Sequence, residues 1–287
     1  METVAFYSYK GGVGRTLLVA NTAQFLAMAG RRVVALDLDL EAPGLHQKLA
    51  DQAALDRAAS GELPGAVDAL LDALDGEPRK LSLREIAVEV DLPAGTGGSL
   101  LLIPAGSAPS HAYWAALERL NNALRSSPRD GGLPEAVLDL QARIAEEFAP
   151  DLLLIDSRNG ITELGGLATS ILADRVICLT TTAPESVEGT RVVAEALHKV
   201  PRLSSQQPLR VDFLITRVTS GSRSPNVARV VEELGGSAAV LPHDAAITNA
   251  ELREGGRLQA GENDTGENLI SATLQWIARS FQVQHGD

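Results

Sequence analysis

The sequence contains few aromatic residues and one cysteine, and each shortage narrows the classes of protein that it can encode. Phe, Trp and Tyr make up 3% of the 287 residues, whereas hydrophobic residues as a whole make up 45%. A core of ordinary size therefore has to be aliphatic, built from Leu, Val, Ile and Ala. The one cysteine, Cys178, excludes an intramolecular disulfide and a four-thiolate metal site, and we interpret it as a small core residue.

Basic residues and long apolar runs are also scarce. The formal net charge is −12, and an acidic surface repels a phosphate backbone, so we do not expect the chain to coat nucleic acid non-specifically. Solubility alone is the simplest explanation of this charge, and a local basic patch remains compatible with it. Since the sequence has neither a signal peptide nor a long apolar run, we expect a cytoplasmic chain that does not span a membrane.

Short aliphatic runs alternate with helical stretches along the chain. This alternation predicts an α/β fold with a mostly parallel sheet flanked by helices on both faces. We expect one domain over 1–287, with a less regular, mostly helical insertion at 45–98 and a C-terminal helix at 264–282. The predicted strands are 4–8, 33–36, 100–103, 152–155, 176–179, 211–215 and 238–241. The predicted helices are 16–29, 65–74, 113–124, 134–148 and, within the C-terminal segment, 268–281.

A glycine-rich loop at residues 10–16, K-G-G-V-G-R-T, separates the first predicted strand from the first helix. In this arrangement, backbone N–H groups and the helix N-terminus can cradle a phosphate group. The common phosphate-loop pattern G-x-x-x-x-G-K-[ST] fails at two places, because Tyr9 replaces its first glycine and Arg15 its lysine. Thr16 falls where a hydroxyl would hold Mg²⁺. A glycine turn that binds no ligand is the alternative.

Carboxylates follow two of the predicted strands. Asp37 and Asp39 end the second strand, and their alternate spacing directs both side chains to one face if the strand continues. Asp156 ends the strand at 152–155. Carboxylates that repel one another at strand ends are unfavourable unless a cation or a reaction uses them, and ligands of parallel sheets bind at these ends. A helix cap or a solvated strand end is the alternative interpretation.

Together these motifs resemble the ParA/MinD family of P-loop ATPases, whose deviant Walker A loop reads K-G-G-x-G-K-[ST]. The likeness continues in D-L-D-L-E-A-P-G at 37–44 and D-S-R-N-G at 156–160. It implies a P-loop fold that binds ATP and Mg²⁺. By resemblance, the nucleotide would contact the loop and the start of the helix, through Lys10, Gly11, Gly12, Val13, Gly14, Arg15, Thr16 and Leu17.

The resemblance also implies roles for individual residues. Lys10 and Arg15 would be catalytic cations, and Asp39 would orient the attacking water. The Mg²⁺ site would involve Thr16, Asp37, Asp39 and Asp156. Gly160 would meet the γ-phosphate through its backbone N–H group.

Three later residues match segments that lie beside the nucleotide base in the family, namely Thr216, Arg217 and Pro242. Thr216 stands where relatives often have Asn, and His243 is interpreted as a loop residue. Arg158 occupies the slot of a family proline. It would pair with Glu163 or Asp156, or else reach transition-state charge or a partner subunit.

The resemblance implies an ATP-dependent dimerisation switch: a homodimer in the ATP state, slow ATP hydrolysis, and control of a protein partner that the sequence does not identify. The alternative is a nucleotide-locked scaffold that hydrolyses ATP poorly, because Arg15 and Arg158 replace the family residues. Arg is a forked cation where Lys is a point charge. Binding is therefore a firmer expectation than turnover.

Related families with the same fold fit less well. One cysteine cannot hold the iron–sulfur cluster of the nitrogenase iron protein. Bacterial tyrosine kinases of this fold carry a tyrosine-rich tail, whereas this chain's tyrosines are Tyr7, Tyr9 and Tyr113. Arg279 is the only cation in the apolar segment 269–281, so we expect a helix that packs on the core rather than a membrane-surface helix. Neither charge nor tail favours contact with DNA or a membrane.

Overall fold

A computed structural model of the protein describes residues 1–76, 80–126, 132–160, 163–199, 208–218, 225–242 and 267–282. Within these ranges the eight strands form one sheet, in the order β3-β4-β2-β5-β1-β6-β7-β8. Every neighbouring pair is parallel except β3 with β4. The strands are β1 (Glu2–Ser8), β2 (Arg32–Leu38), β3 (Val88–Glu89), β4 (Ser99–Ile103), β5 (Leu152–Ser157), β6 (Arg175–Thr180), β7 (Arg210–Val218) and β8 (Ala239–Pro242).

Helices connect the strands as crossovers. One turn of π-helix, Ala168–Leu172, continues α8. The helices are α1 (Arg15–Met28), α2 (His46–Leu49), α3 (Gln52–Ser60), α4 (Ala66–Leu74), α5 (Leu83–Ile86), α6 (His111–Ser126), α7 (Gly132–Phe148), α8 (Glu163–Leu167), α9 (Pro184–Leu197), α10 (Pro225–Glu233) and α11 (Glu267–Ser280).

Alternate residues of the central strands enter two different cores, one on each face of the sheet. In β2, Val34 and Leu36 belong to the core beneath α4, α6 and α7, whereas Val33 and Ala35 belong to the core beneath α1. The cause is the two-residue period of a strand, which sends successive side chains to opposite faces. Because both faces are covered, the central strands are mostly aliphatic, and the predicted fold class is confirmed.

The predicted strands and helices are found with boundaries shifted by a few residues. Strand β3 was not predicted, because two residues are too short to show a period. It lies within 45–98, where the described residues also form four short helices, α2 to α5. That residues 1–287 form a single domain stays a prediction.

The segment 45–98 is joined to the sheet by close backbone contact at Gly65. A Cβ atom there would lie 2.3 Å from the carbonyl oxygen of Pro104, so only glycine permits the approach. The N–H groups of Ala66 and Val67 donate to the carbonyls of Pro104 and Ala105, at 2.8 and 3.0 Å. The start of α4 thus continues the hydrogen bonding at the end of β4.

Helix α11 packs on the core, as predicted. Ile277 is completely buried and Phe281 is 8% exposed, and both belong to the same core as α1. The guanidinium group of Arg175 donates to the carbonyl of Ser280 at 2.8 Å and lies 5.0 Å from the Phe281 ring centre. In the described ranges, no helix is both long and apolar enough to cross a membrane.

Candidate functional site

The carboxylates of the second and fifth strands meet at one edge of the sheet. Asp37 and Asp156 are paired neighbours in the β2–β5 register, and both are fully buried. Their position in the alternation places them on the face covered by α1, together with Val33 and Ala35. Asp39 follows the end of β2 and is 7% exposed. The sheet register therefore brings Asp156 next to Asp37 and Asp39, which lie far earlier in the sequence.

The glycine-rich loop lies over this acidic cluster. Gly11, Gly12 and Gly14 are exposed, whereas Val13 is buried and anchors the loop in the core beneath α1. Gly14 precedes α1 with φ 87°, in the left-handed region that favours glycine. Nothing lies within 4 Å of a Cβ built there, so the loop leaves open space at the N-terminus of α1.

Arg15, the first residue of α1, directs its side chain into the acidic cluster and is 7% exposed. Its Nε donates to Asp156 Oδ1 and its Nη2 to Asp39 Oδ2, both at 2.5 Å. Its Nη1 donates to Ser8 Oγ at 3.2 Å. The guanidinium group thus joins two of the residues that the sequence assigned to Mg²⁺ and water, and its role as a phosphate ligand stays a prediction.

Burial and mutual repulsion control the charges of the cluster. Burial, and next the nearby Asp156 carboxylate, raise the pKa of Asp37 well above its usual range. Its carboxylate also accepts backbone N–H groups from Asp39, Gly44 and Leu45 at 3.0 to 3.2 Å. Burial likewise raises the pKa of Asp39, although the Arg15 cation opposes that shift.

The pKa of Arg15 itself is raised. Desolvation by burial favours the neutral form, but the charges and hydrogen bonds of Asp156 and Asp39 outweigh it. Because Arg15 and Asp39 are both largely buried, the positive charge of Arg15 stabilises the ionised form of Asp39 against desolvation.

Side chains from two other strand ends hold the glycine-rich loop in place. Thr216, on β7, donates to the carbonyl of Val13 at 2.9 Å, and its oxygen also lies 3.3 Å from the carbonyl of Thr180. Arg217 donates to the carbonyl of Gly12 and has a left-handed φ of 58°. A Cβ at Gly11 would lie 2.8 Å from the amide nitrogen of Asn159.

Two of these contacts involve residues that the sequence predicted to lie beside the nucleotide base. Thr216 and Arg217 contact the loop backbone, so their contact with a nucleotide base stays a prediction. Pro242 ends β8, where it pairs in register with Val218. His243 lies outside the described residues.

Gly160 lies beside the first strand. Its N–H group donates to the carbonyl of Ser8 at 3.1 Å, and its own carbonyl accepts the Tyr7 hydroxyl at 3.2 Å. The expected contact between this N–H group and a γ-phosphate stays a prediction, and it would require the bond to Ser8 to open.

Arg158 forms an ion pair with Glu41, a partner that the sequence did not suggest. The expected pairing with Asp156 is wrong, because Arg15 takes that carboxylate. The side chain of Glu163, the other expected partner, lies outside the described residues. The pair joins the loop after β2 to the loop after β5, and no local sequence signal could have revealed it.

The remaining predicted residues lie along the loop and the start of α1. Lys10 is exposed, and Thr16 and Leu17 are partly buried in the first turn of α1. Thr16 lies next to the loop after β2, since its Cγ2 atom would be 3.6 Å from a Cβ at Gly44.

The residues present fit a nucleotide with Mg²⁺. The Oδ2 atom of Asp156 is buried, and no partner for it lies in the described part of the chain; it is an oxygen ligand of the kind that Mg²⁺ prefers. Among the same residues, no three His, Cys, Asp or Glu side chains are placed to hold a metal by themselves. Phosphate oxygens and the Thr16 hydroxyl would therefore complete such a site.

A parallel sheet with a glycine-rich loop before α1 and acidic strand ends beside it defines a P-loop nucleotide-binding protein. Residues 4–256 match the CobQ/CobB/MinD/ParA nucleotide binding domain. The chain belongs to this family, and it is ParA/MinD-like in fold. The MinD/ParA members of the family are ATPases, and binding of nucleotide and Mg²⁺ is a trait of these members.

Solved structures share the fold at low identity. McdA from Cyanothece in complex with ATP has a TM-score of 0.69 and 16% identity, covering 100% of this chain and 98% of that one. The septum site-determining protein MinD of Pyrococcus horikoshii, complexed with Mg-ADP, has a TM-score of 0.64 and 19% identity, covering 100% and 99%.

Among curated proteins, a putative replication protein A of Sinorhizobium fredii is 32% identical over 93 residues, which is 32% of this chain. The match spans about a fifth of that relative's length.

Proposed function

We propose that the protein is an ATP-dependent dimerisation switch that binds ATP with Mg²⁺, hydrolyses it slowly and controls a protein partner. The observation that carries this proposal is the different placement of the two loop cations. Arg15 is buried and committed to Asp39 and Asp156, whereas Lys10 is exposed at the other end of the loop. A cation that its own acidic cluster does not use is available to the nucleotide of a second subunit.

Different residues of the chain would bind the phosphates and the metal ion. Backbone N–H groups of Gly11 to Thr16 would hold the phosphates, supported by the partial positive charge at the N-terminus of α1. Thr16 and Asp156 would hold Mg²⁺, with Asp37 behind them. When bound, the metal would neutralise phosphate charge, which is the main requirement of phosphoryl transfer.

Asp39 is proposed to orient water for hydrolysis, and its ion pair with Arg15 supports slow turnover. The guanidinium holds Asp39 Oδ2 at 2.5 Å, so one of the two carboxylate oxygens that could accept a hydrogen bond from water is engaged. We expect hydrolysis to require Arg15 to leave Asp39, and to be slow because separating a buried ion pair is costly.

The same ion pair supports the second candidate, a nucleotide-locked scaffold. If Arg15 never releases Asp39, ATP would be retained and the dimer would be permanent. Single-turnover phosphate release from the purified full chain separates the two candidates. The switch predicts slow but complete release with dissociation of the dimer, and the scaffold predicts retained ATP.

Lys10→Ala tests dimerisation directly. We expect the variant to keep most of its affinity for ATP, since the loop backbone is intact, and to stay monomeric with ATP and Mg²⁺ in analytical ultracentrifugation. Lys199→Ala, at an exposed residue just after α9, is the matched control and should dimerise like the wild type. A Lys10→Ala protein that dimerises normally would show the switch proposal to be wrong.

A further inference from the structure

Tyr9 precedes the glycine-rich loop, and its ring lies directly against the backbone of α9. A Cβ atom at Gly189 would lie 2.1 Å from ring atom Cδ1, 2.3 Å from Cγ and 2.4 Å from Cε1. No side chain larger than hydrogen therefore fits between the helix and the ring. Glycine is disfavoured inside a helix relative to alanine, and this contact gives a physical reason for its presence in α9.

The same ring contacts Lys10. The ammonium nitrogen lies 5.7 Å from the ring centre, which is within the range of a cation–π interaction. Among the described residues, no carboxylate pairs with Lys10. The ring is thus a charge-complementary contact for a cation that is otherwise exposed to solvent.

We infer that Tyr9, clamped by Gly189, is a positioning residue that holds Lys10 ready for the partner subunit. This inference rests on the proposed dimerisation switch and deepens it. A free lysine side chain loses much rotamer freedom when it is fixed at an interface. A ring that already restricts the ammonium group lowers that loss, so the dimer forms at lower protein concentration.

Three variants test the two sides of the contact. Tyr9→Phe keeps the ring, Tyr9→Leu keeps an apolar side chain but removes the π face, and Gly189→Ala inserts a methyl group where the ring lies. We expect Tyr9→Leu and Gly189→Ala each to raise the dimer dissociation constant with ATP and Mg²⁺ about tenfold, because a symmetric dimer uses two lysines. Tyr9→Phe should match the wild type.

Gly166→Ala is the control for the glycine substitution. Gly166 lies in α8, and nothing is within 4 Å of a Cβ built there, so this variant should dimerise normally. Binding of a fluorescent ATP analogue to the monomer should change less than about twofold in all variants, since backbone N–H groups of Gly11 to Thr16 would hold the phosphate and none of these substitutions alters those residues. A parallel loss of ATP binding in Tyr9→Leu would overturn the inference, because the ring would then support the loop itself.

A double-mutant cycle separates positioning from packing. At protein concentrations high enough for residual association of Lys10→Ala, Tyr9→Leu should weaken that association no further, because the lysine that the ring would position is gone. In the Tyr9→Leu background, Gly189→Ala should be harmless, since the ring that it displaces is absent. Independent, additive effects of Tyr9→Leu and Lys10→Ala would overturn the inference.

The two proposals fail in different ways. If Lys10→Ala dimerises normally, the switch itself is wrong. If Lys10→Ala abolishes dimerisation while Tyr9→Leu and Gly189→Ala behave like the wild type, the switch stands and the positioning role of Tyr9 is wrong. Thermal unfolding of every variant identifies any that are destabilised, and Gly189→Ala then tests the same contact without altering Tyr9.

Discussion

At the scale of single residues, Arg15 is the internal cation of the acidic cluster. Its guanidinium group pairs with Asp39 and Asp156 and contacts Ser8, so one side chain neutralises charges that come from two different strands. Lysine, with one compact ammonium group, cannot form this forked arrangement. Arg15, at a position where the family motif has lysine, therefore determines which acidic groups are paired in the nucleotide-free site.

Replacing Arg15 with Met tests whether the acidic cluster needs this cation for stability. We expect the nucleotide-free variant to lose about 3 kcal/mol of unfolding free energy, because two largely buried carboxylates lose their partner. Mg²⁺ alone should restore part of this loss in the variant and do little for the wild type. Urea unfolding with and without Mg²⁺ measures both effects. Equal effects of Mg²⁺ on the two proteins would contradict the internal-cation role.

Thr216 is a second residue whose side chain supports the loop. Thr216→Val keeps the volume but removes the hydroxyl that donates to Val13. We expect a loss of about 1–3 kcal/mol of unfolding free energy, the cost of a buried acceptor left without its donor. Ser170→Ala, which removes a more exposed hydroxyl bonded to Gly166, is the control and should change stability little. Similar losses in both variants would argue against a special role for Thr216.

At the scale of elements, the ion pair of Arg158 and Glu41 connects the loop after β2 with the loop after β5. Both side chains are about one third exposed, at 33% and 34%. The Oε2 atom of Glu41 is buried, and it has no hydrogen-bond partner within the described ranges. Since both loops flank the acidic cluster, a change in the distance between them would alter the surroundings of Asp39 and Asp156.

A double-mutant cycle of Arg158→Met and Glu41→Gln measures this connection. We expect a coupling energy of about 0.5–1 kcal/mol in urea unfolding, as for partly exposed ion pairs. ATP turnover of Arg158→Ala tests whether the arginine does more than join the loops. Unchanged turnover together with unchanged dimerisation would restrict Arg158 to a structural role.

At the scale of the whole molecule, Arg175 joins the sheet to the C-terminal helix. It is 2% exposed, pairs with Asp212 at 2.5 Å, donates to Ser280 and contacts the Phe281 ring. Burial lowers the pKa of this guanidinium group, although Asp212 opposes that shift. One side chain at the start of β6 thus holds β7 and α11 in place, and α11 completes the core over α1.

Arg175→Met should therefore loosen the C-terminal helix. We expect a loss of about 2–3 kcal/mol of unfolding free energy, somewhat less than for a fully buried pair, because Asp212 is partly exposed. Arg210→Met is a matched control, since Arg210 pairs with the same carboxylate but is more than half exposed. It should cost at most about 1 kcal/mol. Hydrogen exchange at 273–281 reports whether the helix itself is released.

The sequence by itself determined the α/β class, the mostly parallel sheet and the position of the glycine-rich loop, because strand alternation and motif spacing are local features of the chain. It also placed Asp37, Asp39 and Asp156 correctly at strand ends. Only the tertiary structure decided which groups these residues meet. Three contacts depend on strand order and register: Arg15 with Asp39 and Asp156, Arg158 with Glu41, and Tyr9 with Gly189. Each contact joins residues that are distant in sequence, so a local sequence pattern does not reveal it.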